Sequence, residues 1–206
     1  MAELSSWPSE PDEARDRRPW IYLRLVHAGL VINTAELQEV IERPAVDAAV
    51  RDKVFSPGAD QEKYFSELYI RLHNYAAVVA TLIALSRPYM EDAKADAFRD
   101  EHATRVAAIG ENGAGQVLQG LRNYLLHNKV PYMEITVVWD ITANTRRSIL
   151  HISSKSLLEW GDWKPAAIRY LEARPMVAFN DVIAEYAAVI DEYYSWLWSQ
   201  VDSSHN

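Results

Sequence analysis

The segment Leu121-Arg-Asn-Tyr-Leu-Leu-His127 gathers the residue types that phosphate chemistry uses. At ~100° per residue, Val117, Leu121, Tyr124 and Leu125 fall on one side of a helix, and Asn123 and His127, four apart, share the other. Arg122 lies on the flank of that polar side, ~140° from His127, and its length lets it reach a group held in front of both. Imidazole takes and returns a proton near neutral pH and guanidinium stabilises charge on phosphate oxygens, so the pair suits an anion site. Gly120, two turns beneath His127, predicts bare backbone that a ligand or partner helix could approach closely. The plainer alternative is that these side chains are solvated or only cap and bridge helices.

Charge is segregated around this segment. From Gln116 to Lys155 the cations Arg122, Lys129, Arg146, Arg147 and Lys155 face two carboxylates, Glu134 and Asp140, a net of +3 in a chain of −8, so the remainder carries −11. A whole-surface polyanion binder is excluded, but a local patch is not. Lys129, Arg146, Arg147 and Lys155 are the candidate phosphate- or RNA-binding residues, provided the segment around residues 133–153 folds back over the helix end.

Arg122-Asn123-Tyr124-Leu125-Leu126-His127 fits the R-N-x-x-x-H form of the R-x-x-x-x-H motif and so resembles HEPN domains. The resemblance at residue level covers this motif, and the helical pattern from about residue 20 to 128 with the terminal helix is compatible with it. It implies a helical bundle that dimerises with its motif helices facing each other. It also implies a metal-independent endoribonuclease of a toxin, defence or RNA-processing system, needing no cofactor and, as a toxin, having a cognate inhibitor protein. Some HEPN domains are inactive, so a non-catalytic nucleotide- or protein-binding module is the alternative. Carried over, Arg122 would contact the scissile phosphate, His127 would transfer protons around the ribose 2′-hydroxyl, and Asn123 would position the histidine or the phosphate. The 133–153 segment and the Trp160 to Trp163 region are additions that the family pattern does not require.

The elements that must position these residues follow from periodicity. Residues 1–18 carry Pro8, Pro11 and unpatterned charge and predict a flexible arm, with one helical domain from 19 to 206. Beyond Pro19 a first helix is expected, then a second capped by Asn33 or Thr34 and ended by Pro44, and a third from there to Phe55. Phe65, Leu68, Leu72, Tyr75, Val79 and Leu82 form one stripe of a helix over about 61–86. A further helix over about 91–109 is expected to turn Ala93, Ala97, Phe98, Ala103, Val106 and Ala107 inward and to break at Gly110, Gly113 and Gly115, with the motif helix following over 116–128. Alternation around Ile135, Val137 and Trp139, and again around Leu150 and Ile152, predicts a two-stranded β-hairpin at about 133–153 inserted into a mainly α bundle. Short helices at 156–160 and, capped by Asp162, to 173 precede a last helix over 179–201 with the stripe Phe179, Ile183, Tyr186, Ile190, Tyr193 and Leu197.

The 206 residues, 49% hydrophobic, suffice for one core, and the absence of cysteine excludes disulfides and catalytic or zinc-binding thiolates. The best apolar run, Ala76 to Leu85, is about half of the ~20 residues a membrane span needs, and acidic residues near the start argue against a signal peptide, so a cytoplasmic protein with no membrane partner is expected. His73 and His102 with Glu67, Asp100 and Glu101 show no compact metal-ligand spacing, and Asp92, Asp96 and Asp100 read as a solvated face. His27 is expected at a helix margin and His151 on the outer hairpin face. Tyr193 and Trp196 are expected inward, with Trp198 exposed as a possible oligomer contact.

Overall fold

The computed structural model describes residues 12–89 and 98–204. Among them are eight helices, α1 (Asp12–Val46), α2 (Ala48–Val54), α3 (Ala59–Tyr89), α4 (Arg99–Glu111), α5 (Gly113–His127), α6 (Ser154–Leu158), α7 (Pro165–Glu172) and α8 (Phe179–Ser204). Three strands, β1 (Met133–Asp140), β2 (Thr145–Ser153) and β3 (Met176–Ala178), complete a mainly helical bundle with a small antiparallel sheet.

The bundle is built on α1 and α3, which pack along each other in opposite directions. Arg43 donates to both carboxylate oxygens of Glu67 at 2.9 and 3.0 Å, and Arg71 pairs with Glu36. The α3 stripe is buried from Leu68 to Leu82, as its spacing requires, with Phe65 half-buried at its start. By length and composition the Ala59–Leu85 stretch is apolar enough to cross a membrane, although the shorter run Ala76 to Leu85 is not; Leu68, Leu72, Tyr75, Ala76, Val79 and Leu82 instead fill the core. The α8 stripe is likewise buried at every expected position.

Several expectations are corrected. Helix α1 is continuous through Asn33 and Thr34, whose side chains donate to the carbonyls of Gly29 and Leu30, four residues back, and so are satisfied within the helix. Pro44 sits in the last turn of α1 rather than ending the helix before it. Its missing N–H frees the carbonyl of Val40, and Tyr64 Oη of α3 donates there at 3.0 Å. Residues 12–18, expected in the arm, open α1, while residues 1–11 lie outside the described residues. Ala93, Ala97, Asp92 and Asp96 also lie outside them. In α4 the inward face carries His102, Val106 and Ile109, whereas Ala103 and Ala107 are exposed, because larger side chains fill the space against α8. Gly113 and Gly115 are not breakers but open α5, capped by Asn112, whose Oδ1 accepts from Gly115 N at 2.8 Å. The helix placed at 156–160 is α6, begun by the Ser153 cap, and α7 starts at Pro165 after Lys164 rather than at Asp162.

The expected hairpin is a three-stranded sheet. Met133 pairs Ile152 and Asp140 pairs Thr145 across β1 and β2, while β3 adds to the far edge of β2 opposite His151 to Ser153. With three residues preceded by Pro175, β3 carries too little pattern to show in the sequence. Where β3 ends, side chains complete the edge: Leu150 N donates to Asn180 Oδ1 and Ser148 N to Glu42 Oε2, each at 2.9 Å. These bonds fasten the sheet to α1 and α8, not across the end of α5.

Candidate nucleotide site at the end of helix α5

Helix α5 is the most enclosed element. Residues 114–118, Leu121, Tyr124 and Leu125 are buried against α3, α7 and α8. In its last two turns Arg122, Asn123, Leu126 and His127 are exposed. The amphipathic register expected from the sequence therefore holds. Two tyrosines pin this end: Tyr124 Oη donates to Ser156 O at 3.1 Å, and Tyr69 Oη donates to Leu125 O at 3.3 Å. The second bond satisfies one of the carbonyls that a helix C-terminus leaves unpaired.

Helices α3 and α5 run antiparallel, since Tyr69 meets Leu125 while Ala80 and Ala84 share a cleft with Gln116 and Gly120. That cleft has a volume of about 300 Å³ and is lined on its polar side by Gln119, Arg122, Asn123, Asp162 and Lys164, with Trp160 at one wall. Arg122 Nη1 donates to Asn123 Oδ1 at 3.3 Å, so the two adjacent side chains stand together at its mouth. His127 is exposed at the helix end but is not part of the cleft wall.

Gly120 corrects the expectation of open backbone. A Cβ there would lie 2.4 Å from Cζ3 and 2.6 Å from Cε3 of Trp163, so the close approach is made by the protein's own indole. Trp163 is buried, donates Nε1 to Leu157 O at 2.7 Å, stacks on Tyr124 at 6.0 Å and meets Trp160 edge to face at 4.9 Å. The Trp160 to Trp163 region thus backs the motif helix and shapes the cleft.

The expected basic patch is dispersed. Lys129 is ion-paired with Glu159, and their mutual hydrogen bond holds the ammonium above and the carboxyl below their ordinary ranges. Arg146 lies over Trp139 at 5.2 Å on the outer half of the hairpin, where residues 138–147 are all exposed, and Arg147 is exposed beside it. Lys155 lines a separate groove with Glu159, Glu172 and Arg174. The cation that does join Arg122 is Lys164, which the sequence reading passed over. The available signal was its place directly after the Trp160-Gly-Asp-Trp163 run.

The other histidines are committed elsewhere. His102 is buried against Tyr193 at 5.8 Å and His27 stacks on Tyr194 at 4.3 Å; burial holds both below the ordinary histidine value. His151 is half-buried in β2, opposite Glu134. His73 is half-buried beside Tyr69, and Glu67 is bound by Arg43. Among the described residues no group of three or more His, Asp or Glu side chains is placed to hold a metal ion. Trp198 is half-buried beneath the Arg24 guanidinium at 4.9 Å, and Trp196, also half-buried, beneath that of Arg105 at 4.7 Å. Comparison of the chain with protein-family models, curated proteins and solved structures finds no match.

Proposed function

We propose that the chain is a HEPN-like, metal-independent endoribonuclease acting through Arg122, Asn123 and His127. The observation that carries this reading is that a helix buried around most of its circumference opens to solvent, in its last two turns, at these three side chains. In this mechanism His127 takes the proton of a ribose 2′-hydroxyl, and the 2′-oxygen attacks the adjacent phosphorus. The 5′-oxygen then leaves with a proton, giving a cyclic phosphate and a free 5′-hydroxyl. Arg122, steadied by Asn123, offsets the charge on the non-bridging oxygens. The exposed apolar side chains Leu126, Val130 and Tyr132 beside the motif support pairing with a second copy, and in a toxin or defence system a cognate inhibitor protein would cover the same face.

The test is incubation of the purified chain with RNA in chelator. Cleavage leaving cyclic phosphate ends is expected, with a loss of about 100-fold or more in His127→Ala and Arg122→Ala. Parent-like cleavage by His127→Ala refutes the assignment. A second reading, a non-catalytic nucleotide- or protein-binding module, is favoured by the cleft wall including Arg122 and Lys164 but not His127. In that case RNA stays intact, and nucleotide binding is lost in Arg122→Ala but kept in His127→Ala.

A further inference from the structure

Behind the cleft lies a second, inner recess of about 100 Å³. The two share Ile83, Gln116, Gln119 and Lys164, so they form one continuous space running from the exposed motif into the bundle. The inner walls are apolar, formed by Leu82, Val106, Ile109 and Ile190, with two exceptions.

The first exception is Gln116, only 5% exposed. Its Nε2 donates to the carbonyl of Gly110, which turns Oε1 away from that carbonyl, and Oε1 has no hydrogen-bond partner. The second is Tyr193, 4% exposed, whose hydroxyl also lacks a partner. A buried acceptor and a buried hydroxyl left unpaired in an apolar recess destabilise the fold unless something entering the recess satisfies them.

We infer that this recess reads a nucleobase, with Gln116 and Tyr193 recognising its polar edge while the phosphate stays in the outer cleft. The inference rests on the reading that the outer cleft binds a nucleotide. Apolar walls accept the faces of one flat ring system, and a base N–H donates to Gln116 Oε1. The Tyr193 hydroxyl donates to a ring nitrogen or carbonyl oxygen. Lys164, which borders both chambers, and Arg122, at the outer mouth, are placed for the phosphate, with the Asp162 carboxylate on the same rim disfavouring anions directly against it.

The experiment is calorimetric titration of the full chain with CMP, UMP, AMP and GMP, and separately with ribose 5-phosphate, which carries the phosphate and sugar without a base. At least one nucleotide is expected to bind about tenfold or more tightly than ribose 5-phosphate. Tyr193→Phe, which removes only the hydroxyl, should bring that nucleotide to within about twofold of ribose 5-phosphate while leaving ribose 5-phosphate binding and the melting temperature no lower than the parent's. Gln116→Leu should do the same to the nucleotide preference, and Tyr193→Phe decides the matter if that variant fails to fold. Equal binding of nucleotides and ribose 5-phosphate overturns the recess but leaves the phosphate cleft standing, as does a nucleotide preference unchanged in Tyr193→Phe. No binding of either, together with intact RNA, overturns both.

Discussion

Gly120→Ala tests the packing that holds the motif helix. The new methyl carbon would lie 2.4 and 2.6 Å from two ring carbons of Trp163, well inside the closest approach that carbon atoms tolerate. The ring has little freedom to retreat, because its Nε1 is bonded to Leu157 O and its face is stacked on Tyr124. Overpacking of this kind costs roughly 1–3 kcal/mol, and with a pinned indole the upper end applies. Replacing glycine by alanine inside a helix returns about 1 kcal/mol. The net expectation is a loss of about 2 kcal/mol, or roughly 4–8 °C in melting temperature for a chain of this size. Gly29→Ala is the internal control: it also lies within a helix, nothing stands within 4 Å of the new carbon, and a gain of up to about 1 kcal/mol is expected. Urea unfolding followed by tryptophan fluorescence measures both. A Gly120→Ala protein as stable as the parent, or shifted in the same direction as Gly29→Ala, refutes the claim that Trp163 occupies this site.

Two further outcomes follow from buried groups. Tyr64→Phe removes the donor that replaces the N–H missing at Pro44, leaving the Val40 carbonyl without a partner, and should cost about 1–3 kcal/mol in chemical denaturation. His102 is held below its ordinary value of 6.5 by burial, so the unfolded chain binds a proton that the folded chain refuses. The associated stability is present above pH 6.5 and falls as pH drops through that value. Denaturation midpoints measured from pH 7.5 to 5.5 should decline less steeply in His102→Phe than in the parent, and an unchanged slope would show that the imidazole is not buried neutral.

Much of this fold was legible because a helix or strand records in its own sequence which face it buries. The stripes of α3 and α8, the alternation of β1 and β2, and the division of α5 into a buried side and an exposed Arg122, Asn123 and His127 all follow from local spacing and recur in the structure. Local spacing also misled where a residue had two uses. Asn33 and Thr34 are good caps, yet bond backward within a continuous helix, and Gly113 and Gly115 suggest a break, yet begin α5 under Tyr170 and Tyr186.

The amino-acid order alone determined which side chains of the motif helix meet water, since a period of 3.6 residues leaves no choice once Leu121, Tyr124 and Leu125 must be buried. It could not determine what stands opposite them. That Trp163 fills the notch at Gly120, that Lys164 rather than Lys129 joins Arg122, and that Gln116 and Tyr193 meet around one recess all depend on chain segments returning from tens of residues away. Those returns are fixed by the packing of whole helix faces, a property of the assembled core that no short window of sequence contains.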